Sequence, residues 1–340
     1  MKHKQIVFTE PNMAKLLDVD AVDELSPNAV MVETVVSTIS CGTERANITG
    51  DPNVNGMGAP EVKFPRTSGY NSAGIVVKKG ANVTSVDVGD RVVVFWGKHT
   101  NYNIVGEHQV VKIEDDTISY ETAAMSFISS FPMAAIRKTR LEMGESAIVM
   151  GLGILGMIAV KLLRVAGAVP VIAADPNPAR REIALKNGAD YAFDPLAENF
   201  AEEVKKVTDG GVNVAIEVTG VGAGLNEALD CMKKFGRVAL LGCTRNSDFT
   251  IDWYRKVHAP GITIVGAHTM ARPNKESHPG WFTHQDDIKA VLKLCSGGRM
   301  QLENLVEETH SPKDCEAVYN RLVNDKNFPV VVQFDWRKLK

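Results

Sequence analysis

The chain is short of most features that would place it outside the ordinary soluble enzymes. Its five cysteines, at 41, 231, 243, 295 and 315, are odd in number and widely spaced. That excludes a disulfide framework and a CxxC zinc clip, and four of them read as small buried hydrophobes. No apolar run approaches the roughly 20 residues of a membrane span. The start, Met1-Lys2-His3-Lys4 before a short Ile6-Val7-Phe8, has no signal-peptide core, so the cytoplasm is the expected location. Charge of one sign is also lacking: 38 Lys and Arg stand against 41 Asp and Glu, a net charge of -3. Neither nucleic acid nor an anionic membrane is expected as a partner. Repeats and low-complexity segments are absent. What remains is a 340-residue chain, 44% hydrophobic and 23% charged, whose length points to two domains.

The most informative stretch runs from Ala147 to Asp175. An apolar run, Ala147-Ile148-Val149-Met150, leads into Gly151-Leu152-Gly153-Ile154-Leu155-Gly156, and helix formers with Met157, Val160 and Leu163 at apolar spacing follow. A second apolar run, Val169 to Ala174, ends in Asp175. A strand, a glycine turn, a helix and an acid about 20 residues on make the dinucleotide fingerprint. Gly151 serves the tight turn, Gly153 the approach of a pyrophosphate and Gly156 the packing of helix on strand, with Ile154 and Leu155 opening the helix whose N-terminus takes the phosphates. Asp175 accepts from a ribose 2′-OH and repels a 2′-phosphate, which favours NAD over NADP. Arg180 and Arg181, just beyond it, read as solvated helix charges, with reach to a 2′-phosphate as the other possibility.

Before this stretch the chain reads as all-β to about residue 125. Runs at Gln5 to Phe8, Ala29 to Val36, Ala73 to Lys78, Arg91 to Phe95 and Gln109 to Ile113 are separated by turn clusters such as Gly50-Asp51-Pro52-Asn53, Asn55-Gly56 and Val88-Gly89-Asp90. From Ser119 to Leu141 the pattern is helical, with Pro132 expected to kink or restart it. Beyond Asp175 come a helix from Pro178 to Asn187 stopped by Gly188, strands at Val212 to Val218, Arg237 to Gly242 and Ile262 to Gly266, and a helix at Asn226 to Lys234. This alternation predicts a parallel sheet covered on both faces. A polar loop (Ala271 to Pro279), helices at Gln285 to Cys295 and Pro312 to Val323, and a last strand, Pro329 to Phe334, follow. That strand is expected to return to the first domain, leaving a substrate cleft between the two.

In this order and spacing, Val36-Ser37-Thr38-Ile39-Ser40-Cys41-Gly42-Thr43-Glu44, Gly69-Tyr70-Asn71-Ser72-Ala73-Gly74, Val88-Gly89-Asp90-Arg91-Val92, the glycine turn and Glu217-Val218-Thr219-Gly220 resemble the medium-chain dehydrogenase/reductase superfamily, the relatives of alcohol and sorbitol dehydrogenases. The resemblance covers essentially the whole chain. It implies an α/β fold: a GroES-like β domain (1–128 with 273–340) plus a Rossmann doubly wound parallel-sheet domain (129–272). It adds Thr219, Gly220, Gly242, Cys243 and Ala267 to the cofactor contacts, places His268 beyond the strand that meets the nicotinamide, and implies a homodimer or homotetramer.

Zinc members of the family hold a catalytic metal by three ligands. Cys41 matches the first, but Tyr70 stands at the histidine position and Phe127 at the third. The four-cysteine loop of the structural zinc is missing as well, since Phe95-Trp96-Gly97-Lys98-His99 runs straight on. A catalytic zinc needs about three protein ligands plus an open position, so the expectation is a member without zinc. A makeshift set of Cys41, Glu44 and His99 is the alternative.

Without the metal, hydrogen-bond donors must stabilise the alkoxide. Tyr70 is the first candidate acid, or else a ring filling a vacated pocket; a free phenol titrates near 10, and Arg45 is a nearby cation in sequence. Thr43 matches the proton-relaying hydroxyl of zinc relatives. Glu44 either binds substrate hydroxyls or pairs with Arg45, and His99 and His108 read as packing or surface groups. The expected function is NAD-dependent interconversion of a secondary alcohol, polyol- or sugar-like, with its ketone. A quinone or enone reductase and a non-catalytic NAD(H)-binding protein are the alternatives. Specificity would lie in the loops Asn53 to Arg66, Trp96 to Tyr102 and Ala271 to Trp281.

Overall fold

A computed structural model describes residues 3–20, 24–55, 58 and 60–339, and the chain divides into two compact units. One runs to Ile128 and resumes at Ile288; the other spans Ser129–Asp287. Gly56 of the Asn55-Gly56 turn, part of the 53–66 loop and the first two residues lie outside the described residues. Among the described residues no helix is long and apolar enough to cross a membrane.

The first unit is built on Ala29–Thr38, a strand buried at nine of its ten positions. Such a run marks a central strand covered on both faces rather than an alternating edge. It pairs antiparallel with Asn71–Lys79, Tyr102–Gly106 and the tail strand Val331–Asp335, in a seven-stranded sheet completed by Arg91–Phe95, Val110–Lys112 and Val306–His310. Pairing of Gln333 with Thr38 thus brings the C-terminal segment back onto the first domain. Val30, Val32, Val76, Val92 and Val94 fill one core; Phe8, Ile39, Ile48, Tyr319, Phe334 and Trp336 fill another.

Two expectations for this unit need correction. Its first 125 residues are not all β: Cys41–Thr49 is a helix, ended by Gly50 in the left-handed conformation (φ 69°). The helix buries only Glu44, Ala46 and Ile48, so it carries no apolar stripe to announce it. The helical stretch after Ser119 restarts at Ser126, and the helix Ser126–Thr139 then continues through Pro132.

The second unit holds a six-stranded, wholly parallel sheet in the order Tyr191–Phe193, Val171–Ala174, Ala147–Met150, Val212–Glu217, Met232–Leu240, Thr263–Gly266. The chain winds outward from Ala147–Met150 in one direction and then in the other. The carboxyl ends of Ala147–Met150 and Val212–Glu217 therefore flank the point where strand order reverses, which is where open α/β sheets bind ligands. Residues 273–287 fall within this compact unit, which runs to Asp287. Asp287, fully buried, pairs with Arg137 at 2.9 Å and Arg272 at 3.0 Å, and the Arg137 guanidinium lies 3.6 Å over the Phe282 ring. Arg272, from the polar loop, is thus part of an internal tether.

Candidate active site

The glycine turn has the geometry its letters require. Gly151 sits at φ 92°, in left-handed space that a side chain would strain. A Cβ on Gly156 would lie 1.9 Å from the Gly151 carbonyl oxygen, so helix and turn touch backbone to backbone. A Cβ on Gly153 meets nothing within 4 Å, and Gly153 caps the helix Ile154–Val165 without a side-chain bond. The open approach and the amides of Ile154 and Leu155 fit a pyrophosphate. Asp175, 5% exposed, accepts from the Leu152 amide and the Asn177 amide, both at 2.8 Å. Asp175, the acid expected to meet a ribose, thus also braces the glycine turn. Arg180 comes within 3.9 Å of it, while Arg181 donates to the Asp175 and Pro176 carbonyls.

The other cofactor candidates gather beside this turn. An added Cβ on Gly151 would come 3.0 Å from Thr219, on Gly220 2.5 Å from the Cys243 carbonyl, and on Gly242 2.5 Å from the Gly220 nitrogen. Ala267 is tied in by its amide, which donates to the Leu240 carbonyl. Glu217 was part of a family landmark in the sequence without a role of its own; its carboxylate, buried at a strand end, accepts from the Thr219 and Gly220 amides and from the Thr219 hydroxyl. Burial pushes its pKa up, and those three donors pull against the shift.

In the first unit Tyr70 and Phe127 come together, their ring centroids 5.8 Å apart and edge to face, with Trp96 5.5 Å from Tyr70 and 5.0 Å from Phe127. Phe127 is fully buried and Tyr70 partly exposed. The Tyr70 hydroxyl donates to Ser40 Oγ at 2.5 Å.

Glu44 is placed differently from expectation. It is fully buried and does not pair with Arg45; it accepts from the Ser40 amide at 2.8 Å, from His99 Nε2 at 3.1 Å and from the Tyr319 hydroxyl. His99 Nδ1 meets Ser37 Oγ at 2.7 Å, and Ser37 takes a bond from the Trp336 indole at 2.9 Å. Burial beside the Glu44 carboxylate holds the Tyr319 phenol well above its ordinary pKa, so it stays a donor. Arg45 instead donates to the Leu322 carbonyl at 2.7 Å. A helix residue pairs with whatever its face meets, and Glu44 and Arg45, adjacent in sequence, face about 100° apart.

Cys41 and Thr43 share the first turn of that helix, both partly exposed. The Cys41 sulfur lies 3.9 Å from the Val330 carbonyl. Among the described residues no three of His, Cys, Asp and Glu gather as a metal cluster. Phenylalanine has no lone pair to offer and Glu44 and His99 are spent on each other, so the donor set does not fit a catalytic zinc.

With this geometry, the chain compares as follows. Its residues 26–124 match the alcohol dehydrogenase GroES-like domain, and residues 155–294 match the zinc-binding dehydrogenase family. It is 27% identical over 337 residues to an L-threonine 3-dehydrogenase of Pyrococcus horikoshii, covering 91% of each chain, and 26% identical to a sorbitol dehydrogenase of Bacillus subtilis, covering 90% of each. The crystal structure of 2R,3R-butanediol dehydrogenase from Bacillus subtilis superposes with a TM-score of 0.81 at 24% identity, over 98% of this chain and 99% of that one. The protein belongs to the medium-chain dehydrogenase/reductase superfamily. It is an oxidoreductase of the alcohol dehydrogenase type, with a GroES-like and a Rossmann domain.

The 1.9 Å approach at Gly156 makes one expectation direct. Gly156→Ala must displace the turn, and overpacking of this kind costs roughly 1–3 kcal/mol. We expect dinucleotide affinity, measured by titration calorimetry, to fall while the fold, followed by circular dichroism, persists. Unchanged affinity would mean that the phosphates do not use this turn.

Proposed function

We propose that the protein is an NAD(H)-dependent dehydrogenase that interconverts a secondary alcohol, of polyol or sugar type, with its ketone, and that Tyr70 rather than a zinc ion serves the reacting oxygen. The observation that carries this reading is the partly exposed Tyr70 hydroxyl, paired with Ser40 and set against Phe127, at two positions where relatives with zinc carry ligands. When bound, the nicotinamide gives or takes the hydride. In reduction Tyr70 donates its proton to the forming alkoxide and Ser40 hydrogen-bonds the phenolate left behind; in oxidation the proton returns. Thr43, the residue before Glu44 in the helix Cys41–Thr49, is a second hydroxyl for that proton.

The relatives' names support the substrate class: threonine, sorbitol and butanediol each carry a secondary hydroxyl beside another polar substituent. Asp175 supports NAD, because a carboxylate repels a 2′-phosphate. Replacing it tests the cofactor. Asp175→Ser is expected to raise the NADPH-to-NADH ratio of kcat/KM by about 10–100-fold, on the scale of one or two charge-assisted hydrogen bonds. It should also weaken both cofactors somewhat, since the brace on Leu152 is lost. An unchanged ratio would refute the NAD assignment.

The reaction itself is tested by following NADH formation over a panel of polyols and sugars, with zinc counted by elemental analysis of protein purified without added metal. Turnover with no zinc is the expected result. Near one zinc per chain would overturn the metal-free reading, and turnover of enones alone would replace the alcohol reading. We further propose a homodimer or homotetramer, supported by the edge strand Thr263–Gly266, which pairs on one side with Met232–Leu240; light scattering of the eluting protein reads this directly.

A further inference from the structure

The segment that follows the last strand of the parallel sheet, Gly266 to Ala271, is fastened in an unusual way. Lys138, from the helix Ser126–Thr139, donates through Nζ to the Gly266 carbonyl at 3.2 Å and to the Ala271 carbonyl. Arg272 donates through Nε to the Thr269 carbonyl at 3.0 Å, while its other nitrogens hold Asp287 at 3.0 Å and the Ser130 carbonyl at 3.1 Å. Three carbonyls of one six-residue loop are therefore held by two cations.

Lys138 is only 8% exposed, and its ammonium lies 4.6 Å over the Trp281 ring. A buried lysine with no carboxylate among its hydrogen-bond partners is costly, since desolvation is offset by carbonyl dipoles, an aromatic face and the more distant charge of Asp287. A surface position would carry no such cost.

We propose that Lys138 is a positioning residue for the cofactor: it clamps the Gly266–Ala271 loop in the conformation that receives the nicotinamide end of the dinucleotide. Ligands of an open parallel sheet lie beyond the carboxyl ends of its strands, Gly266 ends one of them, and Ala267 is already drawn to the sheet by its amide. A loop in that place contributes backbone groups whose direction depends on what holds its carbonyls. The inference rests on the dehydrogenase reading above.

The clamp responds to pH. Burial, with Arg272 close by and Asp287 opposing it, brings the Lys138 pKa down to about 8. The charged and titratable groups facing it are Arg272, Asp287 and His268. Asp287, pushed up to about 6 by burial, is ionised well below the range in which Lys138 titrates, and burial lowers His268, which is then neutral there. As pH rises through about 8, Lys138 alone of this group loses charge, and its two carbonyl bonds lose their charge assistance.

The test uses the full chain and NADH as probe. Wild-type protein should bind NADH with an affinity that declines on the alkaline side with an inflection near 8. Lys138→Met should bind NADH about tenfold more weakly and flatten that inflection, the scale expected for a charge-assisted bond. Lys138→Arg, which keeps its charge at all these pH values, should restore affinity and remove the inflection. Hydrogen exchange gives a readout independent of turnover: amides of 267–271 should exchange faster in Lys138→Met, with those of Ala147–Met150 unchanged. Equal NADH affinity and equal exchange in wild type and Lys138→Met overturn the clamp. Failure of the wild type to bind NADH at all overturns the dehydrogenase reading instead, and an Arg variant that behaves like Met shows that charge is not what the loop needs.

Discussion

Replacing Tyr70 by Phe is expected to lower kcat about 10²–10⁴-fold, the usual contribution of a positioned general acid, while leaving NADH affinity within a factor of about two, since the fingerprint residues are untouched. The substitution removes one oxygen and keeps the ring, so the contacts with Trp96 and Phe127 persist and the fold is not at stake. What disappears is the hydroxyl pair with Ser40. Two hydroxyls in contact can pass one proton either way, so Ser40 can support Tyr70 both as phenol and as phenolate. Ser40→Ala should accordingly give a smaller loss, of about tenfold, and move the alkaline limb of the kcat profile toward higher pH, because a phenolate without its partner forms less readily. A Tyr70→Phe enzyme with wild-type kcat would reduce the ring to a filler of space.

The dinucleotide turn was legible because its requirements are local. Gly151, Gly153 and Gly156 each answer to backbone geometry within a few residues, and strand, turn and helix must follow in that order. The parallel sheet followed from the alternation of apolar runs with helical stretches for the same reason. The first unit was harder. Nothing in Cys41-Gly-Thr-Glu-Arg-Ala-Asn-Ile-Thr repeats at helical spacing, and the helix is fixed by a carboxylate whose partners lie 55 and 275 residues away. Arg272 and Asp287 show the same limit: one lies in a polar loop and the other on a helix in the sequence, and only the structure pairs and buries them, inside a compact unit that runs to Asp287. Lys138 left no signal at all, and Glu217 entered only as a letter of a family landmark, because a lone Lys in a helix and a lone Glu at a strand end are commonplace until their burial is known. Tyr319 is likewise one more apolar-face residue of Cys315–Asn324 until its hydroxyl is found against Glu44.

The Glu44 network should dominate the stability of the first unit. Glu44→Ala leaves the Tyr319 hydroxyl, the His99 Nε2 and the Ser40 amide without their acceptor, all in a region from which water is excluded. Each stranded donor costs on the order of 1–3 kcal/mol, and loss of one partner of a buried polar pair typically about 3–5 kcal/mol. We therefore expect about 3–5 kcal/mol in urea unfolding of this unit. Glu44→Gln is the sharper comparison. Its amide oxygen can keep the Ser40 amide and His99, which sit 2.8 and 3.2 Å from the same carboxylate oxygen, while its NH2 faces a Tyr319 hydroxyl able to turn and accept. Every donor then retains a partner, and the loss should be about 1 kcal/mol or less. The two outcomes separate the jobs of this residue. If the carboxylate serves the fold by accepting hydrogen bonds, Gln should preserve both stability and the Ser40 position beside Tyr70, and with it kcat. If its charge is what matters, Gln should fail like Ala; equal, small losses for both would mean that the network around His99 is not what holds Ser40 in place.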